Sequence, residues 1–379
     1  GVSTGGPFGT GMEGSISAIF GDMSGDNQLF TSVSLNGEIY DFGGEVAYLN
    51  QKKKLKWGAS LSHIPSYYGF LTSGIDTLTT KKGEAYLVNT IDLNYLRMFE
   101  DKLGLYGYYP LSQTRRFEAS AELSRYYYRF DQYKTYYDMF GVPIGSGREK
   151  LDAPEGFGLQ TASLAFVTDN SLMGVNGPVR GTRYRIEAGK YFGKLDFYNL
   201  LLDYRKYFFI RPLTLAFRSF NTGRLGSGSE SEMITPLYIG YPWLVRGYER
   251  TDQYWSDTQV TGEGISLENF FGSKMFIANI ELRLPVSGPK NISLIKSGMF
   301  FTDLSLFFDS GLAIDKGSRI GSDWYNPGPG ERVPIISYGA SLRFNLSGYL
   351  VIEPYYAVPV NKRAGLFDGS FGINFTPAW

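Results

Sequence analysis

The chain is patterned with period two. In residues 299–312, Asp303, Ser305, Phe307, Asp309 and Gly311 share one parity, while Leu304, Leu306, Phe308 and Leu312 share the other. In 334–345, Ser337, Gly339, Ser341, Arg343 and Asn345 oppose Ile336, Tyr338, Ala340, Leu342 and Phe344. In 274–283, Asn279, Glu281 and Arg283 oppose Ile280 and Leu282. Such alternation puts one set on each face of a strand. The chain ends the same way: Phe371, Ile373, Phe375 and Trp379 share a parity against Gly372, Asn374, Thr376 and Ala378. A strand between lipid and a polar lumen carries this pattern by construction. A charge at the lipid midplane costs about 2–4 kcal/mol, so the charged set is expected to point into the lumen.

Sixteen segments of this kind are predicted, near 12–22, 28–37, 42–50, 55–64, 85–98, 103–109, 116–129, 159–169, 182–191, 195–208, 213–223, 274–283, 299–312, 334–345, 349–359 and 369–379. Each is close to the ~10 residues a tilted strand needs to cross a bilayer. The expected fold is all-β, a 16-stranded antiparallel transmembrane β-barrel, and an even count suits its closure. With both termini periplasmic, the long connections 130–158, 224–273 and 313–333 follow outward-running strands and lie outside. The stretch 65–84 then reads as a long periplasmic connection. Residues 12–379 are assigned to the barrel. Residues 1–11 are assigned to a lead-in from an upstream periplasmic region; the chain starts without a basic, apolar leader, which fits either a removed signal peptide or a preceding domain.

Composition adjusts this picture little. There is no run of 18 apolar residues, so no helical span is expected. Aromatics make up 16%, with Tyr 29 and Phe 28, which suits pleated surfaces and membrane interfaces. The net charge of zero offers no footprint for nucleic acid. Cysteine is absent. His63 is the single histidine, and beside Pro65 it reads as structural. With no metal-ligand cluster and no base near Ser227 or Ser229, no catalytic residue, metal or cofactor is expected. The run Lys52–Lys54 reads as a solvated hairpin tip, and Tyr126–Tyr128 as a rim of aromatics.

The longest connection contains Leu244, Val245, Arg246, Gly247, Tyr248 and Glu249, and downstream Phe307, Phe308, Asp309, Ser310 and Gly311 form F-x-D-x-G. Together these resemble the BamA-type superfamily of outer-membrane barrels, which carries V-R-G-[FY] on its sixth outer loop and F-x-D-x-G on its thirteenth strand. The first motif falls here between the eleventh and twelfth expected strands, the second on the thirteenth. The resemblance implies that the loop folds back into the lumen, where Arg246 meets the inward-pointing Asp309. Chemically, Arg246 can present a planar fork to a carboxylate, Gly247 allows a close turn, and Tyr248 can pack on Phe307. Glu281, on the neighbouring strand, is a further lumen partner by resemblance. Arg218, Arg343 and Glu353 read as ordinary lumen charges. The alternative reading is that Arg246 is a solvated loop arginine and Asp309 a solvated lumen acid.

By the same resemblance the chain would sit in the outer membrane of a Gram-negative bacterium. It would assist insertion or translocation of polypeptides, with lipids, client polypeptides and periplasmic or lipoprotein subunits as partners. It would not act as an enzyme. Gly5, Gly6, Gly9, Gly11 and Gly14 at the first segment and Pro377 in the last weaken strand pairing, which fits a lateral gate at the first–last seam. The terminal alternation of Phe371, Ile373, Phe375 and Trp379 would serve as an assembly label. Competing readings are a passive solute pore and a membrane anchor for a further domain.

Overall fold

The computed structural model describes all residues except 1, 5–11, 38, 80–82, 84, 175, 249–264, 290–292, 299, 326, 329, 347–349, 362–368 and 376–379. Its long strands pair antiparallel throughout. Two compact units are separable along the chain. One holds residues 1–109, 119–162 and 192–194, the other residues 110–118, 163–191 and 195–379.

In the first unit, strand β1 (Val2–Thr4) pairs with β2 (Met12–Gly21), and the ladder continues through β3 (Asn27–Gly37), β4 (Phe42–Asn50), β5 (Lys56–Thr79) and β6 (Ala85–Ser112). Two expectations are corrected here. The segments 85–98 and 103–109 are one strand of 28 residues. The charges at Glu100, Asp101 and Lys102 interrupt the apolar alternation, yet they are satisfied sideways. His63 Nδ1 lies 2.6 Å from Asp101, and the Tyr126 hydroxyl donates to Glu100 at 2.8 Å. Residues 65–79 are also strand rather than connection, because β6 supplies a partner for every residue from Lys56 to Thr79. Pro65 and the glycines at 69 and 74 are unfavourable inside a strand, but proline is tolerated on an edge. The β4 ladder stops at His63, two residues earlier.

The expected connection 130–158 is corrected likewise. Strand β7 (Arg115–Tyr137) runs on and turns back into β8 (Pro143–Leu151), with Phe130 opposite Leu151. Arg97 pins this region. Its fully buried guanidinium donates to Asp41 at 2.8 Å and to Asp131 at 2.7 Å. Arg129 donates to the same Asp131 at 2.7 Å and covers the Tyr40 ring at 4.0 Å. Buried charges survive only when paired in this way.

Strand β9 (Phe157–Asp169) follows. In the second unit, β10 (Pro178–Gly193), β11 (Phe197–Ile210), β12 (Leu213–Leu225), β13 (Lys274–Gly288), β14 (Phe300–Ile314), β15 (Ile335–Leu346), β16 (Leu350–Pro359) and β17 (Ser370–Asn374) pair in chain order. The alternation read from sequence is the alternation of burial. On β13, Met275, Ile277, Asn279, Glu281 and Arg283 are buried, while Phe276, Ile280 and Leu282 are exposed. On β14, Ser305, Phe307, Asp309 and Ala313 are buried, while Leu304, Leu306 and Phe308 are exposed. One face of this sheet is therefore apolar and open. The other is polar and covered by the connection between β12 and β13.

Candidate functional site: a loop arginine among wall carboxylates

The connection 226–273 seats itself on the polar face through apolar side chains first. Ile239, Leu244, Val245, Tyr248, Ile265 and Phe270 pack with Met275, Ile277, Ala313, Val333 and Ile335. Burying one such side chain contributes roughly 1.5–3 kcal/mol, which offsets the entropy of ordering a long loop. The backbone is held too. Asn279 donates to the Leu244 carbonyl at 2.8 Å, and Arg218 donates to the Trp243 carbonyl at 2.9 Å.

Arg246 is placed at the centre. Its Nε donates to Asp309 Oδ2 at 2.7 Å and its Nη2 to Asp309 Oδ1 at 2.9 Å, a bidentate fork. The Arg246 backbone N–H donates to the same Oδ2 at 3.2 Å. Nη2 also lies 2.9 Å from Glu281 Oε1, and Nη1 donates to Glu353 Oε1 at 3.1 Å. Asn279 Nδ2 completes the shell of Asp309 at 2.9 Å. Below the guanidinium lies the Phe307 ring, its centroid 3.6 Å from Cζ. Burial alone would pull Arg246 down, but the carboxylates of Asp309 and Glu281 outweigh it and hold the group above its ordinary pKa. The guanidinium stays charged at any working pH.

The neighbours extend the network. Arg343 Nη2 donates to both Glu281 oxygens, at 3.0 and 2.8 Å, and to Glu353 at 3.2 Å. Arg283 Nε donates to Glu281 at 2.8 Å, and the Ser341 hydroxyl donates to Glu353 at 2.8 Å. Three arginines thus balance three carboxylates. All six side chains are buried.

Each motif residue has a distinct place. Val245 is fully buried, and Gly311 lies so close that a Cβ there would sit 2.8 Å from Val245 Cγ2. Gly247 has φ +90, a left-handed backbone that favours glycine, and a Cβ on it would sit 2.9 Å from the Ala357 Cβ. Tyr248 was expected on Phe307; it packs instead on Phe270, with ring centroids 5.6 Å apart. The face of Phe307 is taken by Arg246, and a cation over a ring is the better match. The Tyr248 hydroxyl donates to the Ile336 carbonyl at 2.7 Å and accepts the Ile336 N–H at 3.2 Å; Asn361 Oδ1 lies 2.8 Å away.

Arg343 and Glu353 are not ordinary lumen charges, because both belong to this network. Arg218 differs as well, since it holds the loop carbonyl of Trp243 and lies 3.6 Å from Asp203. Their inward parity was legible. Their convergence depends on the stagger of four strands, which places Asn279 opposite Asp309 and Asp309 opposite Ser337. In the last strand, Phe371 and Ile373 are exposed on one face and Gly372 pairs with Tyr355, and Phe375 just past its end is exposed as well. Trp379 and Pro377, with Gly5, Gly6, Gly9 and Gly11, lie outside the described residues.

Long antiparallel strands, apolar on the open face and charged on the covered one, with a loop arginine seated among wall carboxylates, define the class of outer-membrane β-barrels. The comparisons narrow this. The model of the Omp85 superfamily domain matches residues 109–377, and the chain belongs to that superfamily. Its place is therefore the outer membrane of a Gram-negative bacterium. Among solved structures, BamA from Haemophilus ducreyi lacking POTRA domains 1-3 aligns with TM-score 0.53 at 13% identity, over 99% of this chain and 67% of that one. CdiB from Acinetobacter baumannii aligns with TM-score 0.47 at 13% identity, over 96% of this chain and 56% of that one. No curated protein sequence matches the chain.

Proposed function

We propose that this chain is a sixteen-strand barrel that assists the insertion or translocation of polypeptides at the outer membrane, with its sixth outer loop latched inside the lumen. The count of sixteen is part of this proposal; what supports the latch is that Asp309 stands on Phe300–Ile314, the strand that pairs next to Lys274–Gly288 after the long connection. The observation that carries the reading is the bidentate Arg246–Asp309 contact at 2.7 and 2.9 Å within a buried, charge-balanced network. A passive pore has no need to bury an arginine of its longest loop among three wall carboxylates. Breaking such a contact is expensive, so its presence suits a loop whose position matters for function.

In this reading Val245, Arg246, Gly247 and Tyr248 are the latch. Phe307, Asp309 and Gly311 form its seat, and Glu281 is a supporting acid. The chemistry is non-covalent: the loop fixes the lumen while a client strand or an extended chain passes along the wall. Lipids and client polypeptides are the partners, with periplasmic or lipoprotein subunits as accessories. Phe371, Ile373 and Phe375, with Trp379 at the end, form the assembly label, and the seam between first and last strands is the lateral gate.

The test is functional complementation by Arg246→Ala, with barrel folding monitored by heat-modifiable gel mobility. Lost polypeptide assembly or export in a folded barrel is the expected result. Full activity of that variant would overturn the latch. Ion conductance that survives while export is never detected in the parent chain would favour a pore.

A further inference from the structure

The ladder between β4 and β5 ends at the pair Gly44–His63. From Ile64 to Thr79, β5 has β6 on one side and, among the described residues, no strand on the other. At ~3.3 Å per residue this is about 50 Å of free strand edge. Strand β4 pairs with β5 only from Trp57 to His63. A spanning strand of roughly 9–11 residues would take in the first few unpaired residues, and the remainder, with Leu71 and Ile75, runs past that length.

Along such an edge alternate residues turn an unpaired N–H and C=O outward, a template for another strand. Proteins normally blunt an edge with lysines, prolines, bulges or a covering element. This one carries few such devices. Its sequence from Ser66 to Thr79 contains one charge, Asp76, and no proline past Pro65. The ladder with β6 runs without a register shift. Asp76 has the opposite parity to Leu71 and Ile75, and it is engaged by Lys134 at 3.3 Å.

The face bearing Leu71 and Ile75 is apolar and open. Leu71 is 69% exposed and Ile75 73% exposed. Beside them on β6 stand Ile91, opposite Ser73, and Leu87, opposite Thr77, both exposed. A strand added at this edge would pair its backbone with β5 and lay its own apolar residues against Leu71 and Ile75. Cross-strand pairs of this kind are the unit that stabilises a sheet.

We propose that the free edge of Ser66–Thr79 is a β-augmentation site for an extended segment of a partner polypeptide. The partner alternates apolar or β-branched residues on the face of Leu71 and Ile75 with small polar residues on the other. Main-chain bonds supply affinity, and the alternating side chains supply selection. A second copy of this chain fits less well in the antiparallel register that pairs its two exposed aliphatic residues with each other. The register that sets Leu71 against Ile75 of another copy also sets Phe70 against Asp76. An unlike strand has no such conflict. The site is independent of the Arg246 latch, and either can fail without the other.

The chain has no cysteine, so Ser73→Cys creates a unique thiol at mid-edge. The probe is a synthetic peptide of alternating Thr and Val with one central Cys and Lys at each end. It is added to the folded full chain in a thiol–disulfide buffer. Mixed disulfide at Ser73→Cys should exceed that at an exposed control, Ser24→Cys, by about tenfold or more. Adding Leu71→Lys and Ile75→Lys should remove the excess, since like charges blunt an edge. The milder pair Leu71→Thr and Ile75→Thr, which keeps β propensity, serves if the lysine pair fails to fold. The alternate amides of 66–79 that face away from β6 should exchange fast in the free protein and slow on peptide addition, while those bonded to β6 serve as the internal reference. Equal yields at the two cysteines would overturn the site. So would an excess that survives the edge substitutions, or outward-facing amides already protected without peptide. Preferential disulfide dimers of Ser73→Cys would assign the edge to a second copy instead.

Discussion

Removing the Arg246 side chain is the sharpest perturbation this structure offers. Arg246→Ala deletes two bonds to Asp309, one to Glu353 and a 2.9 Å contact to Glu281. Arg343 and Arg283 still face Glu281, and Arg343 still reaches Glu353. Asp309 keeps only Asn279 and the residue-246 backbone N–H. Breaking a buried pair by removing one partner costs about 3–5 kcal/mol. The apolar anchors Leu244, Val245 and Tyr248 are untouched, and each contributes roughly 1.5–3 kcal/mol. The loop should therefore stay seated but open more often. At about 1.4 kcal/mol per tenfold, amide exchange at 244–248 should quicken by roughly two to three and a half powers of ten. Asp309→Ala should cost less, because Arg246 retains Glu281 and Glu353. In a double-mutant cycle the two changes should couple by ~0.5–3 kcal/mol. Unchanged exchange in Arg246→Ala would refute the reasoning, as would costs of the two single variants that simply add.

Gly247→Ala should loosen the same loop by about 1–3 kcal/mol, because a Cβ at φ +90 is strained and meets Ala357; an unchanged exchange rate at 244–248 would count against it. Tyr248→Phe strips the hydroxyl that bridges both backbone groups of Ile336; these keep Asn361 and Val360 as partners, so the predicted loss is roughly 0.5–1.5 kcal/mol in chemical denaturation with strand content intact by circular dichroism. Glu230 accepts from the Lys316 backbone N–H at 2.6 Å and from the Ser273 hydroxyl at 2.9 Å, and these bonds hold its pKa below the ordinary glutamate value. A lowered pKa gives stability that is present above the unfolded value and lost as pH falls through the folded one. Wild type should thus exceed Glu230→Gln in thermal midpoint at neutral pH and converge with it in acid; a gap that persists in acid would refute the assignment.

The site was partly legible for a physical reason. Parity in a strand is a strictly local property, so the inward set on 274–283, 299–312 and 334–345 could be read residue by residue. Partners could not. That Arg343 and Glu353 join Arg246 follows from stagger between strands, which no local pattern encodes. Tyr248 was misplaced on Phe307 because the motif states adjacency in sequence and not which ring the guanidinium will occupy.

Strand length shows the same division. The charges at 100–102 and the proline at 65 are true breaks in apolar rhythm, and a lone chain has no means to say that a neighbour repairs them. His63 meeting Asp101, and β6 pairing every residue of β5, are tertiary facts. The chain by itself determined which faces meet lipid and which meet charge, since that follows from period-two chemistry against a solvent of fixed polarity. Only the assembled sheet decided which charges meet each other, how far two strands run past their neighbours, and where an edge is left open, because those depend on register and on contacts between residues far apart in sequence.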